Sequence, residues 1–307
     1  MCVRMSTPTG LLGPTTTCHE RRSDQMTKYM KAAGLAALVM ALAGGAFVAV
    51  QSSSTERDIA AFEARVAAIA QGRPARVLEQ VQLADLPAPV QRYFRFTFTG
   101  PVPAYAVVRL SAAGEFRRPQ TEDFNPTTAR QVIATGLPAL MFSATTPVLP
   151  GVWARAYDFF ADGEMEMKAK ILSAITVVDE KQTPLLNQVS LRRWLLESAL
   201  YPAALLPGGP VTWAAIDDSS ARAEVAWQGM QAAMVAHFDA DGRMTHMSAE
   251  ADGDLSTPYH GSGEHVARSN YRQVGNQMIP MDFTISRQAA GRLYPFWKGS
   301  VDAIAFE

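Results

Sequence analysis

Glu164-Met165-Glu166-Met167-Lys168-Ala169-Lys170-Ile171 alternates polar and apolar residues without a break. A period of two marks a β-strand with one face on a core and the other on water. It places Met165, Met167, Ala169 and Ile171 towards covering helices, and Glu164, Glu166, Lys168 and Lys170 in solvent. Residues 153–160 precede this strand, and Ala161-Asp162-Gly163 joins the two, which predicts a hairpin.

The same grammar extends outward. Residues 211–216 meet 221–227 through Asp217-Asp218-Ser219-Ser220, and residues 232–238 meet 243–250 through Asp239-Ala240-Asp241-Gly242. Residues 264–274, 278–287 and 301–306 are further strand candidates. Connections this short join antiparallel neighbours, so the strands form a meander. One strong helix interrupts them at residues 190–200. Ser190 is its candidate cap, Arg193 and Glu197 are spaced i,i+4, and Pro202 limits it. Shorter helices are predicted at residues 87–94 and at 57–71, where Ile59, Phe62, Val66 and Ile69 share a stripe and Gly72 and Pro74 end the run. The expected fold is α+β: a curved, mainly antiparallel sheet, a meander or half-barrel, with a few helices over one face.

Towards the N-terminus, residues 32–50 are 19 uncharged, mostly apolar residues, about 28 Å of helix, close to a bilayer core. Lys28 and Lys31 flank them, backed by Arg21 and Arg22, and Gln51-Ser52-Ser53-Ser54 follows. The positive-inside rule puts the N-terminus in the cytoplasm. The expected layout is a disordered cytoplasmic tail at 1–27, a transmembrane helix or signal anchor at 28–51, a linker and helix at 52–82, and one extracytoplasmic domain at 83–307. The expected location is the bacterial inner membrane, crossed once, with the domain in the periplasm or outside. A small-x-small site at Gly44 and Ala46 permits cleavage, whereas the length of the run favours an anchor. Translation from Met1 and from Met26 are both compatible with this leader.

Composition narrows the chemistry. The 307 residues carry a formal net charge of −1, so no nucleic-acid partner is expected. Cys2 and Cys18 are the only cysteines; disulfides, a thiol nucleophile and a cysteine zinc site are excluded from the main domain. There is no G-x-S-x-G elbow, P-loop or dinucleotide fingerprint, so neither a catalytic residue nor a cofactor is assigned. His260-Gly261-Ser262-Gly263-Glu264-His265 groups two histidines and a glutamate, but its glycines fit a polar loop better than a zinc helix. His237 and His246 flank the Asp239–Gly242 turn. A three-residue loop with a G1 bulge there pairs Ala236 with His246 and sets the two histidines on opposite faces. No metal site is expected. Fourteen methionines, many in strand candidates, suit either a core or an adaptable greasy surface.

Certain phrases occur together: Leu86-Pro87-Ala88-Pro89-Val90-Gln91-Arg92-Tyr93, then Leu191-Arg192-Arg193-Trp194-Leu195-Leu196-Glu197, then Tyr201-Pro202-Ala203-Ala204-Leu205-Leu206-Pro207, Val211-Thr212-Trp213 and Phe238-Asp239-Ala240-Asp241-Gly242-Arg243. They resemble a bacterial family known only as a domain of unknown function, from about Leu83 to the C-terminus. It implies no catalytic residues. The expected architecture is also similar to periplasmic lipoprotein carriers of the LolA and LolB type, in which a curved sheet and lid helices enclose an apolar cavity. The leading expectation is therefore a non-enzymatic carrier for an apolar or lipid-like ligand. Its ligand-binding candidates are Met165, Met167, Trp194, Glu197, Trp213 and Met234. A pocket of at least about 300 Å³ should lie between sheet and helices, with Ala169, Ala199 and Ala226 making room. The alternatives are an extracytoplasmic hydrolase with a dispersed His/carboxylate site and an envelope scaffold.

Overall fold

The computed structural model describes residues 17–72, 83–118, 121–256 and 262–307. It divides into two units, residues 1–50 and 51–307. In the first, the described backbone is helical and belongs to α1, Thr17–Gln71. Side chains from Gln25 to Val50 are nearly all exposed. An 18-residue window of this helix has a mean hydropathy of 2.2 and is entirely unburied, so the helix is long and apolar enough to cross a membrane.

Helix α1 takes in two stretches expected to be irregular, the end of the tail from Thr17 and the serines at 52–54. The serines do not interrupt it, and Thr55 just beyond them is buried, its hydroxyl donating to the Ser173 carbonyl at 2.8 Å. The Thr55 hydroxyl lies 3.1 Å from the Gln51 carbonyl, and Arg57 Nε donates to the Ser53 carbonyl at 3.2 Å. Residues 1–16 and Pro74 lie outside the described residues.

The second unit holds α2 (Ala88–Thr97), α3 (Pro184–Glu197) and thirteen strands. The first six are β1 (Val107–Arg117), β2 (Phe124–Ala134), β3 (Ala139–Leu149), β4 (Val152–Ala161), β5 (Glu164–Ile171) and β6 (Ile175–Lys181). After α3 come β7 (Val211–Ala215), β8 (Ser220–Trp227), β9 (Met230–Phe238), β10 (Met244–Ser248), β11 (Glu264–Val274), β12 (Gln277–Ala289) and β13 (Arg292–Phe306). All lie in one antiparallel sheet, ordered β6-β5-β4-β3-β2-β1-β13-β12-β11-β10-β9-β8-β7. Two meanders thus join where β1 pairs with β13. The β4–β5 hairpin turns through Asp162 and Gly163, both at positive φ (54° and 77°), the two-residue geometry that matches strand twist.

The chain leaves one edge of the sheet at β6 and re-enters at the other edge, β7. The segment between must cross the sheet, and it carries α3. Thr183 caps α3, its hydroxyl accepting from Leu186 N at 3.2 Å, and Pro184 opens the first turn. The helix therefore starts six residues before Ser190, whose position inside it is buried. Thr183-Pro184 is the stronger start because proline loses no helical hydrogen bond at the first position.

Helix α3 touches β4 and β5 on one side and β8, β9 and β11 on the other. Asn187 Oδ1 accepts from Met165 N at 3.1 Å, and the next residue, Gln188, donates to the Gln231 carbonyl at 2.9 Å. Leu191, Trp194, Leu195 and Ala199 are at most 1% exposed. They join the larger core with Met165, Val266 and Phe283, and Val90, Tyr93 and Phe94 of α2 belong to the same core.

Strand β5 turns Met165 and Met167 to the larger core as expected, but Ala169 and Ile171 are only half-buried and join neither core, and its charged side does not simply face water. The second half of α1 lies on that face of β2 to β5, where Ile59 and Val66 pack with Val132, Met141, Tyr157 and Phe159. Phe62 stacks on Phe159 with ring centroids 4.2 Å apart, and Glu56 receives Arg155 through two bonds of 2.7 and 3.0 Å. Glu166 accepts from Tyr157 at 2.8 Å and pairs with Lys168 at 2.9 Å, while Lys170 reaches the Thr55 hydroxyl at 2.9 Å. A strand's period says which residues share a face; it does not say whether a distant helix returns to cover that face.

Where β1 meets β13, Gly114 faces Gly299. A Cβ on Gly114 would lie 2.0 Å from the Lys298 carbonyl oxygen, and one on Gly299 would lie 2.4 Å from that of Ala113. Only glycine permits this approach, at a position where curved sheets need relief from side chains.

Candidate functional site

Strand parity brings two polar side chains into the apolar interior, and a helix brings a third. In β2, Gln131 shares a face with Ala129 and Ile133; in β11, Arg268 shares one with Val266. From α3, Glu197 sits at the last helical position and is 4% exposed. Gln131, Glu197 and Arg268 line one cleft with Leu110, Ala112, Ala129, Phe142, Leu200, Phe283, Ile285, Trp297 and Val301. Strands β2 and β11 stand four places apart in the sheet, about 19 Å if it were flat. Sharing a cleft requires the sheet to curl.

The free volume of this cleft is about 10 Å³, room for about one water molecule. Among the described residues, this cleft falls well short of the expected pocket of about 300 Å³. Leu200, Phe283 and Trp297 occupy that space, while Ala169, Ala199 and Ala226 are not on the cleft wall.

The polar groups form two sets. Arg193 of α3 bonds Asp158 of β4 and Glu197, the latter at 3.4 Å, and its guanidinium lies 4.5 Å over the Phe142 ring. Glu197 also accepts from Gln131 at 3.2 Å. Burial opposes the Arg193 charge, but Asp158 and Glu197 outweigh it and raise its pKa. Arg268 differs. Its Nε and Nη2 are buried without a hydrogen-bond partner among the described residues. Burial lowers its pKa, with Glu197 and nearby tyrosines opposing the shift.

Of the six residues singled out from sequence, Glu197 lines the cleft. Met165, Trp194 and Met234 lie in the surrounding core, each at most 1% exposed. Trp194 Nε1 donates to the Ala134 carbonyl at 3.0 Å. Met167 and Trp213 pack on the core margin, where Trp213 Nε1 donates to the Leu205 carbonyl at 2.9 Å. Sequence reasoning passed over Gln131 and Arg268. Their signal was a polar residue at apolar parity.

The histidines depart from expectation. Strand β10 carries a bulge between Met244 and His246, so His246 pairs with His237 instead of Ala236. The two rings stack at 4.1 Å, and His265 stacks on His246 at 5.1 Å. Burial lowers the pKa of all three, and that of His246, which faces the other two, falls to about 4. Among the described residues, no group of three or more His, Cys, Asp or Glu is arranged to hold a metal ion. His260 and Gly261 lie outside the described residues.

Residues 84–306 match a family of unknown function, DUF6920. The chain belongs to this family. The DUF6920 region takes in α2, α3 and all thirteen strands, and with them every residue of the cleft. No curated relative matches the sequence. Among solved structures, the DUF6920 chain is similar to a LolA superfamily protein from Nitrosomonas europaea, at 6% identity and a TM-score of 0.34, covering 72% of this chain and 94% of that one. It is also similar to a porin-like protein from Bacteroides uniformis, at 7% identity and a TM-score of 0.26, covering 66% and 96%. A third is a β-barrel-like protein of another domain of unknown function from Brucella abortus, at 12% identity and a TM-score of 0.23, covering 66% and 98%.

Proposed function

We propose that this protein is a non-enzymatic binding or carrier domain for an apolar, lipid-like ligand. In this reading residues 32–50 anchor it in the bacterial inner membrane and the domain lies on the periplasmic side. The observation that carries the reading is the cleft, where apolar side chains from both meanders converge beneath Leu200. Apolar burial supplies the affinity. The described state is closed, so the ligand enters as the short 3-10 turns at Ser198–Leu200 and Pro202–Leu205 move aside.

Native mass spectrometry of the full chain purified in mild detergent tests the proposal. An acyl-chain lipid should co-purify, and Leu200→Arg, which puts a charge against the ligand chain, should abolish its retention. Absence of any bound lipid, together with failure of apolar probes to bind the delipidated protein, would sink the proposal.

A further inference from the structure

Arg268 is only 5% exposed, stands in the cleft wall, and leaves Nε and Nη2 buried and unbonded among the described residues. These two donors form one edge of the guanidinium, the edge that grips a planar oxyanion through two parallel hydrogen bonds. The same grip occurs elsewhere in the molecule, where Arg155 holds Glu56 through Nε and Nη2 at 2.7 and 3.0 Å. Glu197 does not occupy the Arg268 edge, because its oxygens accept from Arg193 and Gln131. The guanidinium carbon lies 5.8 Å from the centre of the Phe283 ring, over the ring. A buried cation is costly unless something pairs with it, and Arg268 lines a cleft whose other walls are mostly apolar.

We infer that the ligand is an anionic amphiphile whose compact oxyanion head, a carboxylate or a phosphate, is gripped edge-on by Arg268. Its chain lies along Leu110, Phe142, Leu200 and Trp297. The inference rests on the carrier reading above and adds the chemistry of the head. The free volume of about 10 Å³ holds neither head nor chain, so both enter as Leu200 moves aside.

The test compares three ligands with the same chain: oleate, oleoyl lysophosphatidate and oleyl alcohol. Each is titrated against the full-length protein in nanodiscs, with empty nanodiscs as reference. The wild type should bind at least one oxyanion about tenfold more tightly than the alcohol, a difference of about 1.4 kcal/mol. Which of the two binds more tightly identifies the head as carboxylate or phosphate. Arg268→Gln should erase the preference, bringing the oxyanions to the affinity of the alcohol in the same variant. Equal binding of all three by the wild type, or an undiminished preference in Arg268→Gln, overturns the inference while leaving the carrier reading standing. If none of the three binds, the carrier reading falls and takes the inference with it. Should the variant not fold, oleate labelled with ¹³C at its carboxyl decides on the wild type alone. A bound carboxyl gripped by Arg268 titrates below free oleate, and one titrating above it overturns the inference.

Discussion

Replacing Trp194 with alanine tests the packing of α3 across the sheet. The ring is 0% exposed, leans on Tyr201 at a centroid distance of 5.6 Å, and donates its indole N–H to the Ala134 carbonyl. An aromatic side chain of this size buries roughly 150–250 Å². At about 25 cal/mol per Å² that is about 4–6 kcal/mol, less a part already buried in the unfolded chain. The expected loss is about 3–5 kcal/mol, in line with other Trp-to-Ala core truncations. Trp194→Phe keeps most of the area and loses the N–H, so it should cost about 1–2 kcal/mol through the weakened Ala134 contact. Urea unfolding of the full chain in detergent, followed by far-ultraviolet circular dichroism, should show a lower midpoint with an unchanged slope for both variants. A loss below about 2 kcal/mol for the alanine variant, or equal losses for both, would refute this account of the ring.

Arg193→Met leaves Asp158 and Glu197 buried without their shared cation and should destabilise by about 3–5 kcal/mol; an unchanged urea midpoint would contradict this. Gly299→Val places a side chain 2.4 Å from the Ala113 carbonyl oxygen and should cost about 1–3 kcal/mol, with a wild-type melting temperature as the contrary result. The histidine stack predicts an acid-sensitive stability. The folded pKa values of His237, His246 and His265 are depressed from 6.5, so protons favour the unfolded chain. Their contribution is intact above about pH 6.5 and is lost as pH falls towards the folded value, about 4 for His246. His246→Phe should flatten the pH dependence of the urea midpoint in that window, and parallel pH profiles for the two proteins would disprove the link.

What could be read from the sequence was local. Ala161-Asp162-Gly163 signals the hairpin, although Ala161 stays in β4 and pairs with Glu164, and the period of β5 sets which residues share a face, because both depend on residues a few positions apart. The Asp239–Gly242 turn also forms as expected, with Asp239 N donating to the Arg243 carbonyl at 2.9 Å. The bulge beyond it was not legible. Nothing next to Thr245 in the chain demands an extra residue there, yet that residue moves His246 onto the face of His237. The docking of α1 on β2 to β5 joins residues far apart in sequence, and the convergence of Gln131 and Arg268 on one cleft depends on the β1–β13 junction and on sheet curl. The polar residues themselves stood in view, but their convergence did not.

Helix α3 runs between the two sides of the curled sheet as a chord runs between the ends of an arc. An arc of fixed length bends more sharply as its chord shortens. The arc here is thirteen strands wide, and its length is set by strand spacing. The span between β6 and β7 is set by the connection that holds α3, through Gln182-Thr183 before it and Pro207-Gly208-Gly209-Pro210 after it. Residues inserted in those two short stretches let the arc relax, and residues removed draw it tighter. The size of the interior is thus adjustable from outside it, without altering a single side chain on the cleft wall.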